Sequence, residues 1–490
     1  MPCDTHRRLE IDAQPIPKQD PKVRVHNWNE TFLGFSVESA KIEAARCIQC
    51  PDAPCQTACP VDNDIPGAFR LLEEGDISGA ANKFRETNNL PDMCGRLCPQ
   101  ERLCEGDCVV AFAIRPDNFD AQPPVAIGKL EAFVTDYQRL TEGLSIPELP
   151  PPTGQRVAVV GAGPAGLAVA EELAKKGHQI TLFDAWSQPG GVLLYGIPNF
   201  KMRKEILDAK LDFLWKLGIE FVGDTYIGRD ITIDELFQQG YSAVFLGHGA
   251  SLGNRLDVPG SDLPGVIMAT EFLVRGNLAP ELLPETMRQP LPKAGRVLVI
   301  GGGDTSMDCV RTAVRLEVRE VTCVYRRTEA EQQGREEERV HAREEGVRFE
   351  YLAAPMRFEA GPEGHVARVH FERMRLGEPD ETGRRRPVPT GETFVVEADT
   401  VAIAIGYGAD DEVARTAEGI ETSRSLVAVD TETFETTRPG VFAGGDCVNG
   451  ADLVVTALAD GRRAAEAIHR YLERLPNARP TAIVGMTPAR

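Results

Sequence analysis

From Arg156 the chain reads RVAVVGAGPAGLAVAEELAKKG, and from Arg296 it reads RVLVIGGGDTSMDCVRTAVRLE. In both, an unbroken apolar run gives way to glycines and then to apolar positions three and four residues apart. The run predicts a strand covered on both faces, and the 3.6-residue period after it predicts a helix. Each stretch therefore opens as strand, tight turn and helix, the unit of a doubly wound parallel sheet. Upstream the period is helical throughout: ESAKIEAARC, PGAFRLLEEGDISGAANKFRETN and AIGKLEAFVTDYQRLTE predict helices. The stretch 363–406 alternates and turns often, as an antiparallel meander does, and the late TRPGVFAGGDCVNGADLVVTALADGRRAAEAIHRYLE predicts a strand, a Gly-Gly-Asp turn and a long helix.

A proline-rich connector, SIPELPPPTGQR, separates the helical part from the rest. With 490 residues the chain exceeds what one core usually organises. The expected division is a helical domain over 1–150, a nucleotide-binding domain begun over 151–290, a second such domain over 291–405, and completion of the first over 406–490. The expected class is α/β, with a helical N-terminal domain followed by two Rossmann-like domains, the first of them discontinuous.

A formal charge of -20 excludes a nucleic-acid binder, which needs a positive face for phosphates. The longest apolar runs carry glycines and acids such as Glu171 and Glu172, and fall short of the roughly 20 clean residues of a membrane helix. The first twenty residues have no apolar core of the secretory kind, so a cytoplasmic location is expected, with no membrane partner. Twelve cysteines in such a setting are not expected to form structural disulfides. Eight of them fall between Cys47 and Cys108, while Cys309, Cys323 and Cys447 read as small buried side chains.

The first loop has Gly161, Gly163 and Gly166 in a full G-x-G-x-x-G, followed by Pro164 and Ala165 inside the helix start, and Asp184 closes the next strand 18 residues after Gly166. Glycines let the backbone approach a pyrophosphate, the helix N-terminus favours its charge, and the acid accepts bonds from a ribose. The second loop, Gly301, Gly302, Gly303, Asp304 and Thr305, has Met307 near the third glycine position. Its following strand ends in Arg326 and Arg327 instead of an acid, which suits a 2′-phosphate and favours NADPH over NADH. The late Gly445 and Asp446 offer a second approach to the first nucleotide, with Asp446 placed to accept from a ribityl chain. FAD is therefore expected at Gly161 and NADPH at Gly301.

From Thr153 onward there are three cysteines and no closely spaced pair, so the flavin has no thiol outlet there. The upstream cysteines supply another. Cys47, Cys50, Cys55 and Cys59 form one run and Cys94, Cys98, Cys104 and Cys108 a second. Eight thiolates can hold two [4Fe–4S] clusters, and a cysteine followed by proline, as at Cys59-Pro60, is familiar from cluster-binding runs. Tetrahedral zinc is the competing reading of the spacing, but zinc cannot relay electrons.

AARCIQC, ETNNLPDMCGRLCPQERLCEGDC, VAIGKLE, GAGPAGLA, GGVLLYGIPNFKM, GGGDTSMDCVRTAVR, VYRRTEAE, GEPDETGRRR and FAGGDCVNGADLVVTALADGRRAA together resemble the small (beta) chain of bacterial NADPH-dependent glutamate synthase. Related chains form the cluster-and-flavin half of dihydropyrimidine dehydrogenase and ferredoxin:NADP oxidoreductase subunits. The resemblance implies interleaved cluster ligands: Cys47, Cys50, Cys55 and Cys108 on one, and Cys59, Cys98, Cys104 and Glu131 on the other, with Cys94 unligated. It also implies a place for Gly191 at the FAD and a large partner subunit that makes glutamate from glutamine and 2-oxoglutarate. The chain itself has no amidotransferase signature, and Cys3 is not a terminal nucleophile. The sequence departs from the family pattern in a longer Cys108–Val125 connection, in EAEQQGREEE where Met-Pro is common, and in AIGYGADDE where an Arg- or Pro-containing turn is usual.

Overall fold

A computed structural model describes residues 5–115, 120–289, 291, 295–381 and 383–475. Cys3 lies outside the described residues, as do 116–119 of the long connection. The chain forms two compact units: Met1–Thr141 with Val192–Leu207 and Ser251–Gly408, and Glu142–Gly191 with Asp208–Ala250 and Ala409–Arg490.

After the short helices Thr5–Leu9 and Pro21–Arg24, the larger unit has helices Val37–Ala45, Ile65–Glu74, Ile77–Arg85, Pro91–Leu97 and Ile127–Thr141. The periodic stretch after Asp64 predicts one helix but folds as two. Gly75 takes φ +97°, a left-handed conformation that ends the first. Asp76 then starts the next by accepting from Gly79 N–H at 2.8 Å, as Asp64 does from Gly67 N–H at 2.9 Å. The apolar faces meet around Phe69, Leu72, Phe84, Leu130 and Val134, all fully buried.

The same unit continues into a parallel sheet ordered Val266–Met268, Thr400–Ile403, Arg296–Ile300, Glu320–Tyr325 and Arg348–Tyr351. A three-stranded antiparallel sheet, Ala353–Ala360, Val366–Pro379 and Arg385–Glu397, is the meander. Its extent differs from the alternation-based reading in two ways. Thr400–Ile403 is wholly buried and joins the parallel sheet, and the first meander strand starts upstream of 363. Val266–Met268 falls within the 151–290 stretch yet also lies in this sheet.

A buried ionic network ties residues 24–31 to the helix Asp304–Arg315. Glu345 accepts from Arg24 at 2.7 Å, from Arg311 at 2.8 Å and from Arg315 at 2.8 Å. Arg311 also donates to Thr31 at 2.8 Å and to Glu338 at 2.5 Å. Arg311 and Arg315 both lie over the Phe200 ring, 4.5 and 4.1 Å from its centroid.

The smaller unit has a parallel sheet ordered Val441–Ala443, Ala243–Leu246, Arg156–Val160, Gln179–Phe183 and Glu220–Val222. Helix Pro164–Lys175 packs on helix Val454–Glu473 at Gly461, where a Cβ would lie 2.4 Å from the Ala165 carbonyl oxygen. Only a residue without a side chain permits that approach. Among the described residues no helix is long and apolar enough to cross a membrane.

Candidate functional site

The first glycine loop is built by backbone contact. Gly161 has φ +100°, and a Cβ there would meet Gly247 O at 2.4 Å; a Cβ at Gly166 would lie 1.9 Å from Gly161 O. These two glycines let strand, turn and helix close on one another. Gly163 differs, because nothing lies within 4 Å of its Cβ position. That open side, directly before the helix that Pro164 and Ala165 begin, is where an anion can reach free N–H groups. Gly191 closes over the loop, its Cβ position 2.9 Å from Gly163 Cα.

Asp184 stands at the end of its strand, as expected, but its carboxylate also shapes the turn. Oδ2 accepts from Ala162 N–H at 2.7 Å and Oδ1 from Trp186 N–H at 2.9 Å, while burial raises the carboxyl's pKa. Gly445 is brought against Ala165, with 3.0 Å between the latter's Cβ and the former's Cβ position. Burial pushes Asp446 up to about 6. Two residues near this loop escaped the sequence reading. Asp460, buried on the long helix, accepts from Gly445 N–H at 3.0 Å and from Asn449 at 2.6 Å. His248, next to Gly247, is half-buried, with its Nε2 3.0 Å from Asp410 O and its Nδ1 shielded from solvent without a hydrogen-bond partner. Their signal was the acid inside ALADGRR and the Gly-His-Gly turn after a buried strand.

In the second loop a Cβ at Gly301 would lie 2.1 Å from Ala404 O and one at Gly302 would enter the Tyr325 ring at 2.5 Å, whereas Gly303 is open. Met307, at the missing third glycine, is fully buried in the core beneath. Thr305 is half-buried in the first turn, and Asp304 accepts from Arg335 N–H at 3.0 Å. The two arginines after the strand diverge. Arg326 is exposed, while Arg327 is buried with its Nε lacking an acceptor. An anion would satisfy that nitrogen, so the fit to a phosphate rests more on Arg327 than on Arg326.

The cysteines separate into two groups. Cys47, Cys50, Cys55 and Cys108 line one small cavity, partly open to solvent, together with apolar Ile65, Phe69, Val110 and Ile127. Burial, with neighbouring thiols adding to it, pushes Cys47 up to about 11 and Cys55 up to about 12. Such thiols stay protonated at neutral pH until a metal displaces the proton, which is the donor chemistry an iron–sulfur group requires.

Cys59, Cys98 and Cys104 gather around Glu131. Burial lifts Cys59 to about 12, and Cys98 and Cys104 are also raised, Cys98 foremost by its bond with Cys94 and Cys104 by burial. Glu131 is buried; its Oε1 accepts from Asn88 at 3.1 Å and from Asn63 at 3.3 Å, and burial raises its carboxyl strongly. The longer connection before it has therefore not carried Glu131 away from these thiols. Cys94 is in the same group, 3.7 Å from Asn88 Oδ1, which leaves five donors around the second site. Cys309, Cys323 and Cys447 are buried elsewhere, and the described cysteines form no disulfide. Among the described residues, no three or more His, Cys, Asp and Glu are arranged to hold a single metal ion.

A family model described as dihydropyrimidine dehydrogenase domain II, 4Fe-4S cluster, matches residues 24–142, and one described as pyridine nucleotide-disulphide oxidoreductase matches residues 155–461. The glutamate synthase [NADPH] small chain of Escherichia coli K12 is 40% identical over 482 residues, covering 96% of this chain and 100% of that one. The small chain of Azospirillum brasilense is 39% identical over 481 residues, covering 96% and 97%. A putative oxidoreductase of E. coli, AegA, is 41% identical over 477 residues, covering 94% of this chain and 71% of its own. The solved structure of Mycobacterium tuberculosis FprA in complex with NADPH shares the fold, with a TM-score of 0.56 at 20% identity over 66% of this chain and 85% of that one. The chain belongs to the family of the glutamate synthase [NADPH] small chain, oxidoreductases that join a 4Fe–4S domain to a pyridine-nucleotide oxidoreductase domain.

Proposed function

We propose that this chain is the electron-input subunit of a glutamate synthase, taking electrons from NADPH and delivering them to a large partner that forms glutamate from glutamine and 2-oxoglutarate. The observation that carries the reading is the meeting of Cys47, Cys50, Cys55 and Cys108 on one cavity, in a chain that also has two nucleotide loops and no thiol pair beside them. A bound flavin would accept the hydride and pass single electrons to the clusters.

The residues divide that work. Gly301, Gly302 and Gly303 would admit the NADPH pyrophosphate to the N-terminus of Asp304–Arg315, and Arg327, with Arg326 at the rim, would hold the 2′-phosphate. Gly161, Gly163 and Gly166 would hold the FAD pyrophosphate, with Asp184 at the ribose and Asp446 at the ribityl chain. Cys47, Cys50, Cys55 and Cys108 would ligate the first cluster, and Cys59, Cys98, Cys104 and Glu131 the second. The FAD domain then comprises 151–290 and 406–490, and the NADPH domain 291–405, with the strand Val266–Met268 lent to the NADPH sheet. A cytoplasmic location follows from this role.

Anaerobic purification from native cells, with identification of the co-purifying chain and NADPH-driven turnover of glutamine and 2-oxoglutarate, tests the reading. A large flavoprotein partner with glutamate formed supports it. NADPH-to-dye activity with another partner would assign the same electron path to a different oxidoreductase, as the near-equal identity to AegA allows.

A further inference from the structure

The stretch EAEQQGREEE, one of the departures from the family pattern, spans from the second glycine loop to the second cysteine group within the larger unit. Gly334 lies on the glycine loop: its N–H donates to Gly302 O at 3.0 Å. A Cβ there would come within 3.1 Å of the Gly303 carbonyl carbon and 3.4 Å of Asp304 N. The next residue's N–H donates to Asp304 Oδ1 at 3.0 Å.

The Arg335 side chain reaches the other way and is buried. Nη1 donates to Arg96 O at 2.8 Å and Nη2 to Gln100 Oε1 at 3.0 Å. Gln100 Nε2 in turn donates to Cys94 O at 3.1 Å and Gly95 O at 3.2 Å. These carbonyls belong to the last turn of helix Pro91–Leu97, where a cation is favoured, and Cys98 follows directly. A parallel strap runs from Glu337 to Lys129 at 3.3 Å, two residues before Glu131.

We propose that Arg335 is a positioning residue that couples occupancy of the second nucleotide loop to the geometry of the Cys94–Cys104 segment. The proposal rests on the reading that this loop binds NADP(H). A pyrophosphate drawn onto the loop's N–H groups reorganises the same Gly302–Asp304 backbone that Gly334 and Arg335 hold. With no side chain at Gly334 to act as a cushion, that change passes to the guanidinium and so to the helix end beside Cys98. Linkage makes the coupling reciprocal: the state of the cysteine segment alters nucleotide affinity by the same factor.

Hydrogen–deuterium exchange of the holoprotein with and without NADP⁺, which binds without reducing it, reads both ends independently. In the native protein NADP⁺ slows exchange over 301–306 and, by about fivefold, the low end of typical coupling, over 94–105. Arg335→Ala keeps the first effect and loses the second, and Arg335→Lys restores part of it. Gln100→Ala, which removes the relay to the Cys94 and Gly95 carbonyls but leaves Arg335 on Arg96 O, gives a partial loss and serves if Arg335→Ala does not fold. An NADP⁺-induced shift in cluster midpoint potential, present in native protein, absent in Arg335→Ala and diminished in Gln100→Ala, is the matching electrochemical readout. The coupling is overturned if 94–105 stays as slowed in the variants as in native protein, or is unaffected in native protein whose 301–306 segment is slowed. If 301–306 itself does not respond, the nucleotide assignment fails and takes the coupling with it.

Discussion

Removing the charge of Glu345 should cost the protein a stability that can be worked from its surroundings. Three guanidiniums, those of Arg24, Arg311 and Arg315, donate to this carboxylate, which is shielded from solvent. Burial alone would raise its pKa, but the arginines, Arg311 foremost, hold it down to about 2 from an ordinary 4.5. That difference corresponds to roughly 3 kcal/mol. Because the folded value is depressed, the contribution is complete above the unfolded value of 4.5 and is lost as pH falls through about 2. Glu345→Gln preserves the shape and leaves three arginines with less compensation, so a loss of about 3 kcal/mol at pH 7 is expected, at the low end for a broken buried pair. At about 2 °C per kcal/mol the melting temperature falls by about 6 °C. Circular-dichroism melts of native and variant holoprotein from pH 7 to pH 3 check this. The gap should hold constant to about pH 5.5 and narrow below. A gap under about 1 kcal/mol at pH 7, or one that does not narrow in acid, would refute the electrostatic account.

Gly166→Ala places a methyl 1.9 Å from Gly161 O, so it should destabilise the smaller unit by about 1–3 kcal/mol and release flavin, measured as flavin-to-protein absorbance after gel filtration. Arg327→Ala should raise KM for NADPH by roughly 10- to 150-fold, the loss of a charge-assisted bond, while leaving KM for NADH nearly unchanged. The exposed Arg326→Ala should do less, and equal effects on both coenzymes would remove Arg327 from the 2′-phosphate. Cys47→Ser should cut iron to about half and abolish delivery to the partner while NADPH-to-dye turnover through the flavin survives. Unchanged iron content in that variant would sink the ligand assignment.

Local pattern carried much of this molecule. The two strand-turn-helix openings need only an apolar run, glycines and a 3.6-residue period, all properties of neighbouring residues. The same locality explains where pattern misled. Gly75-Asp76 interrupts a helix without disturbing its apolar period, so one helix was expected where capping makes two. Thr400–Ile403 continues an alternating stretch, yet hydrogen bonds to Arg296–Ile300 draw it into the parallel sheet.

By itself the sequence determined the element types, the two glycine loops, the eight clustered cysteines and the family they belong to, because these depend on residue type and spacing. Only the tertiary structure decided which distant residues meet. It brought Cys108 to a cavity with Cys47, Cys50 and Cys55, kept Glu131 beside Cys59 and Cys98 despite the longer connection, and turned Arg327 inward while leaving Arg326 in solvent. It also joined Arg335 to Gln100 across 235 residues of sequence. Such contacts follow from closing the chain around buried side chains, where the desolvated charge of an arginine or glutamate must find a partner wherever the fold supplies one.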